Sequence, residues 1–296
     1  MTTNIISAAL VKELRDITSA GMMECKKALA ATNGDLDKAI EELRKSGAAK
    51  AGKKAGRIAA EGIVVIADNG KQAVMVEVNC ETDFVGRDAN FTSFAKAVAE
   101  TALANEADDA VVLAGLPLHG HISHTVEQAR QELVTKIGEN VQIRRLVKTG
   151  STAAGTGIYI HGGRIGVVVE LDVDNKELAR DVAMHIAASR PLVVTPDHVS
   201  QDLIAKEKEI FIAQAASSGK PQDIIEKMVA GRVKKYLDEI SLVGQPFVKD
   251  PDVTVGGLLG KHRATVLAFH RYEVGEGIEK VTEDFKEAVM AQVNSG

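Results

Sequence analysis

Tryptophan is absent from the 296-residue chain, and aromatic residues make up only 3% of it. So few rings leave no set of stacking platforms of the kind that binds single-stranded nucleic acid. Cysteine is nearly absent as well. Cys25 and Cys80 fall in different expected units, too few and too far apart for a disulfide framework or a CxxC zinc pattern. That usage suits a reducing compartment, and a cytoplasmic location is expected. No apolar run approaches the roughly 18 residues of a membrane-spanning helix, so no membrane association is expected. The start, MTTNIISAALVKELRD, lacks a basic region followed by a long apolar stretch, so no signal peptide is expected. A net charge of −5 and a pI near 5.9 argue against a general nucleic-acid binder.

Catalytic motifs are missing too. Ser218-Gly219-Lys220-Pro221 resembles the end of a phosphate-binding loop, but the upstream Gly is absent and Pro follows. Gly155-Thr156-Gly157 does not extend to GxGxxG, and neither HExxH nor GxSxG occurs. His119, His121 and His124 cluster in LPLHGHISHTVE, which reads as a polar connector, with a metal-dependent enzyme as the rival reading. His185 reads as a packed or capping histidine. Nothing assembles a nucleophile, a base and an oxyanion site, so no enzyme, cofactor or metal is expected.

What is there is a soluble globular chain, 45% hydrophobic and 26% charged, long enough for two or three units. Residues 1–46 read as a three-helix bundle. Leu10, Val11, Leu14 and Ile17 make one stripe, Met22, Cys25, Ala28 and Leu29 a second, and Leu36, Ala39, Ile40 and Leu43 a third behind a cap at Asp35. The Gly-, Ala- and Lys-rich 47–60 reads as a partly helical linker. Strand, tight turn, strand and helix then occur twice, around Asp68-Asn69-Gly70-Lys71 and around His161-Gly162-Gly163. The expected class is α+β, with a core of two antiparallel subdomains over 61–150 and over 151–195 plus 241–278. An antiparallel helical hairpin at 196–240 is inserted between these last two segments. It is the expected self-association element, with an unpartnered arm as the alternative. SLVGQPFVKDP reads as a loop, and 279–296 as a C-terminal helical module.

One stretch stands apart. In NCETDFVGRD a strand ends, and Thr82, Asp83, Phe84 and Val85 follow where a turn is expected. Phe84 either caps the sheet from inside or projects as an aromatic anchor.

Several segments in order carry a family resemblance: LRDITSAGMMECKKAL, EVNCETDFV, KIGENVQIRR, HGGRIGVVVE, HIAASRP, SLVGQPFVKDP and FHRYEVGEGIEK. Together, over residues 8–290, they resemble bacterial elongation factor Ts, the guanine-nucleotide exchange factor of elongation factor Tu. The resemblance implies a UBA-like N-terminal bundle and an exchange factor without catalytic chemistry of its own. It implies that Thr82, Asp83, Phe84 and Val85 enter the partner's nucleotide-binding domain, with Phe84 disturbing its magnesium and phosphate site. It also implies that Leu14, Arg15, Met22, Met23 and Lys26 face the partner; core packing is the alternative for the two Met, and at least one of them is expected in the core. Gly138 and His161 match positions near the same interface, and Val248 matches a contact with another partner domain. Lys249, Arg180 and Asp181 depart from residues that other members can carry. The rival reading is an RNA-binding module built on Lys50, Lys53, Lys54 and Arg57; no direct nucleic-acid contact is expected.

Overall fold

The structure, a computed structural model, describes residues 6–18, 20–105, 107–150, 153–216 and 221–279. The expected C-terminal helix and positions 218–220 of the hairpin turn lie outside the described residues. Three amphipathic segments fold as α1 (Ala8–Thr18), α2 (Met22–Ala31) and α3 (Leu36–Lys54). Val11, Leu14, Cys25, Leu29 and Ala39 meet in a small core of their own. Asp35 caps α3 by accepting the Lys38 N–H at 3.0 Å.

The first half of the core follows. Strands β1 (Glu61–Asp68) and β2 (Ala73–Cys80) form the hairpin expected around Asn69-Gly70. Then come α4 (Asp83–Gly86), α5 (Ala89–Ala104), α6 (Ala110–Ala114), the short pair β3 (Pro117–Leu118) and β4 (His121–Thr125), and α7 (Val126–Ile137). β5 (Gln142–Lys148) returns beside β2, giving the antiparallel order β1-β2-β5. The second half holds β6 (Gly155–His161), β7 (Ile165–Leu171), α8 (Lys176–Ser189), the projecting α9 (Gln201–Ala216) and α10 (Gln222–Ile240), β8 (Pro246–Phe247), β9 (Asp250–Thr254), α11 (Val255–Lys261) and β10 (Val266–Glu273). Its order is β6-β7-β10, again with the hairpin's second strand central.

The repeat reaches further than the hairpin-and-helix pattern. Segments 117–126 and 246–255 are equal-length two-stranded turns with matching register, Pro117 opposite Thr125 and Pro246 opposite Thr254. The first strands bury Leu118 and Phe247, and a Thr at the end of each second strand, Thr125 or Thr254, caps the next helix. The LPLHGHISHTVE connector and the SLVGQPFVKDP loop are thus the same device, preceded in the second case by a 3-10 turn at Leu242–Gly244. Sequence periodicity misses both because the first strand of each pair has only two residues, too few to alternate.

Residues 47–54, the helical part of the partly helical linker expected at 47–60, are the second half of α3. A Gly/Ala run suggests flexibility, but here the small side chains permit close helix contact. A Cβ on Gly47 would sit 3.4 Å from Thr135 Oγ1 of α7, and Ala51 is buried in the core of the first half. One continuous helix of about 28 Å therefore joins the head to the core.

β2 is buried along its whole length. Val74, Val76, Val78 and Cys80 pack under α5 and α7, as the alternation implies. Met75 on the opposite face meets Val64, Val168 and Val274, so the second face of the sheet packs on the second half of the core. This approach needs Gly166, where a Cβ would stand 2.4 Å from Val64 Cγ1 and 2.9 Å from Met75 Sδ. The Val64 N–H donates to the Gly163 carbonyl at 2.8 Å across the same junction.

Glu77 is the polar centre of this junction and is fully buried. Its carboxylate accepts from Arg145 Nε at 2.6 Å, Arg144 Nη1 at 3.1 Å and Asn79 Nδ2 at 3.0 Å. It also accepts the Gly275 N–H at 2.8 Å, from the turn that follows β10. Arg145 extends the bridge to the Glu273 carbonyl at 3.2 Å and lies 4.1 Å over the Tyr272 ring. Burial pushes the Glu77 carboxyl up, but the Gly275 N–H, Arg145 and Asn79 outweigh it and hold it below the usual carboxylate range. Its stabilisation is therefore present above the ordinary carboxylate pKa and lost as pH falls through the lowered folded value. Glu77→Ala, which removes the buried carboxylate that Arg144, Arg145, Asn79 and the Gly275 N–H share, should cost about 3–5 kcal/mol in urea unfolding. It should also remove part of the acid dependence; an unfolding midpoint equal to that of the parent would contradict the role given to Glu77.

Candidate partner-binding site

Strand β2 ends at Cys80, and the chain must leave a fully buried position. Thr82 takes extended backbone and caps α4, its Oγ1 accepting the Val85 N–H at 3.4 Å. The expected turn is thus a single helical turn. Val85 packs on the core of the first half and Gly86 is buried against Gly62, whose carbonyl oxygen a Cβ at 86 would meet at 3.4 Å. Asp88 then caps α5 by accepting from Asn90 and Phe91 N–H at 2.8 and 3.2 Å. With both ends fixed, Phe84 points outward and is 82% exposed. It does not cap the sheet from inside. Leaving a phenyl in water forgoes roughly 1.5–3 kcal/mol of burial. Asp83 pairs within the turn with Arg87 at 3.0 Å.

The other face of this turn rests on a residue that the sequence reading did not select. Glu139 Oε2 accepts both the Glu81 and the Thr82 N–H at 3.0 Å, and Oε1 accepts the Thr82 hydroxyl at 2.6 Å. Glu139 follows Gly138, the left-handed cap of α7 at φ 88°. Only spatial proximity reveals this role, since 57 residues separate the partners. Beneath the turn, burial and the nearby charges of Glu139 and Glu61 push the Cys80 thiol up to about 12. It stays protonated and donates to the Thr82 carbonyl at 3.1 Å.

The sequence model of the family described as Elongation factor TS matches residues 81–276. The elongation factor Ts of Thioalkalivibrio sulfidiphilus is 61% identical over 290 residues, which is 97% of this chain and 98% of that protein. Those of Legionella pneumophila strain Paris and Coxiella burnetii strain RSA 493 are 57% and 54% identical, each covering 98% or more of both chains. The chain belongs to the elongation factor Ts family. Its role lies in the elongation stage of protein synthesis.

The remaining candidate residues lie on several surfaces of the chain. Met22 and Met23 open α2 and are 59% and 74% exposed, so neither serves as core. Arg15 and Lys26 are exposed on α1 and α2. Leu14 is fully buried in the head. It shapes that surface from below and cannot itself be part of it, because it packs with Cys25, Leu29 and Ala39 in the core between α1, α2 and α3. Gly138 adjoins the Phe84 turn through Glu139. His161, exposed at the β6–β7 turn, accepts or donates at 3.2 Å with the Tyr159 hydroxyl. That turn lies along β1, where Arg164 pairs with Glu61 at 2.5 Å.

Val248 sits at the tip of the β8–β9 turn and is 45% exposed. Buried His185 supports it. Gln245 Nε2 donates to the Glu239 carbonyl at 2.7 Å, so Gln245 Oε1 faces His185 Nε2 at 2.9 Å and that nitrogen carries the hydrogen. His185 Nδ1 then accepts the Val248 N–H at 3.2 Å. Two of the three expected family departures meet here, since Lys249 pairs with Asp181 at 2.5 Å.

Two rival features have local duties. Lys50 pairs with Glu24, Lys54 donates to the Gly138 carbonyl, and Arg57 pairs with Glu81 at 3.5 Å. His119 pairs with Glu100 at 2.8 Å and His124 with Glu132 at 3.1 Å. Among the described residues no cluster of three or more metal-ligating groups occurs, and no helix is long and apolar enough to cross a membrane.

Burial pushes the His185 pKa below its ordinary 6.5, against the opposing hydrogen bond to Gln245. The unfolded chain therefore binds more protons below 6.5, and stability should decline as pH falls from 6.5 toward the lower folded value. An NMR titration should place the His185 midpoint below 6.5; a midpoint above it would contradict the neutral acceptor role.

Proposed function

We propose that this chain binds elongation factor Tu carrying GDP and promotes GDP release. Phe84 enters beside the magnesium and phosphate site of the partner's nucleotide-binding domain, and the chain acts through binding alone, without chemistry of its own. The observation that carries this reading is the rigidly held, 82%-exposed Phe84 in a family of elongation factors. A phenyl fixed in place before binding loses little freedom when it enters a pocket.

By linkage, GDP and this protein must weaken each other's binding by the same factor. A 10,000-fold effect requires about 5.5 kcal/mol of coupling. Burying one Phe supplies about 1.5–3 kcal/mol, so Phe84 disturbs the magnesium side while other surfaces hold the partner in its nucleotide-free shape. Arg15, Met22, Met23 and Lys26 of the head serve that purpose, with Gly138 and His161 beside the Phe84 turn and Val248 toward another partner domain. The α9–α10 arm, with Ile210, Ile212 and Ile224 exposed, is assigned to contact with a second copy; sedimentation equilibrium of the chain with and without 196–240 tests that part.

Stopped-flow release of a fluorescent GDP analogue from elongation factor Tu tests the exchange function. Substoichiometric amounts of this protein should speed release by orders of magnitude. Phe84→Ala should slow the catalysed rate by roughly ten- to a hundredfold, the equivalent of about 1.4–3 kcal/mol. A folded Phe84→Ala protein with unchanged exchange would sink the wedge.

A further inference from the structure

We infer that Glu139 is the positioning residue of the Phe84 turn and that the 138–140 loop ties this turn to the head. The inference rests on the reading of Phe84 as the working group. It starts from a comparison of the two halves of the core. After each central strand, an acidic residue accepts a backbone N–H from just before the third strand. Glu81 Oε1 accepts from Asn140 N, and Asp172 Oδ1 accepts from Thr265 N, both at 2.6 Å. In each half the residue two positions before that donor is left-handed, Gly138 at φ 88° and Arg263 at φ 50°. The residue between them is Glu139 in the first half and Ala264 in the second.

The halves differ at one further place. The first inserts α4, which carries Phe84, between its central strand and the helix that follows. The second runs from β7 through four residues, 172–175, into α8. The carboxylate and the projecting turn therefore occur together, and the half without the turn has a methyl group in place of the carboxylate. Glu139 supplies what the projection needs. One of its oxygens gathers two successive N–H groups, and the other takes the Thr82 hydroxyl hydrogen, leaving that oxygen's lone pairs for the Val85 N–H.

The same loop is gripped from the head side. Lys54, at the end of α3, donates to the Gly138 carbonyl. Asn140 Nδ2 donates to the Arg57 carbonyl at 2.8 Å and the Ala55 carbonyl at 3.3 Å, and Arg57 pairs with Glu81. Because α3 is continuous from Leu36 to Lys54, head orientation reaches the loop through a stiff element. A head engaged by the partner would thereby fix the aim of Phe84.

The test uses Glu139→Gln in the full chain, with two readouts. In the free protein, amide hydrogen exchange of 81–86 should speed up about tenfold, the loss expected for hydrogen bonds to a charged acceptor, with β2 and α5 unchanged. Asn140→Ala should accelerate the same segment in the same direction. In the GDP-release assay, Glu139→Gln should lower the maximal rate about tenfold while the half-saturating concentration moves far less. Added to Phe84→Ala, it should cause almost no further loss. Unchanged protection of 81–86 in folded Glu139→Gln overturns the positioning role. Losses that multiply in the double variant overturn its action through Phe84. An Asn140→Ala effect confined to 50–58 overturns the link to the head. If the parent protein does not speed GDP release but the exchange pattern is as stated, the exchange function fails and the positioning role stands. Should Glu139→Gln fail to fold, Glu139→Asp, one carbon shorter, provides the same readouts.

Discussion

The two halves of the core are one body because a single carboxylate, Glu77, is buried between them and fully used. It sits on the central strand of the first sheet and accepts from the turn that ends the second. Taking a carboxylate out of water costs several kcal/mol, and two guanidinium groups, an amide side chain and a backbone N–H offset that cost here. Apolar contact is not directional, and the Val64–Gly163 hydrogen bond and the Arg164–Glu61 pair add direction at the edge of the junction. A charge with directional partners allows one register. Gly166 lets the faces come close enough for those partners to reach.

Rigidity at this junction matters for everything attached to it. The Phe84 turn leaves the same strand that carries Glu77, and the β6–β7 turn with His161 lies along β1. Val248 is held at the end of the second half by a neutral histidine packed in the core. The exposed apolar groups are thus presented from fixed backbone. Preorganised groups of this kind lose little binding energy to ordering when they meet a partner. The duplicated architecture shows the economy of the arrangement. Both halves share the hairpin, helix, short turn and returning strand, and they diverge where a side chain must project.

Much of this was legible in residue order. The hairpin at Asn69-Gly70, the cap at Asp35, the alternation along β2 and the twofold strand-turn-strand-helix pattern are local. Each is written within one turn or one strand. The motifs around Phe84 and in the head carry the family resemblance in residue order alone. What stayed hidden was non-local or ambiguous. Residues 47–54 have a linker's composition, and their helix is decided by contact with α7. Leu14 and the two Met lie on adjacent stretches of the same motif, yet one is core and the others are surface. Periodicity over so short a helix cannot separate them.

By itself the sequence determined the secondary structure of the amphipathic segments, the α+β class and the membership in a translation factor family, because these depend on local periodicity and ordered motifs. Tertiary structure alone decided that both faces of β2 are covered and that Glu77 joins the halves. It also decided that Phe84 faces outward from a turn clamped by Glu139. These outcomes depend on groups that meet across 57 to 198 residues of chain, and no local pattern records which distant donor a carboxylate will find.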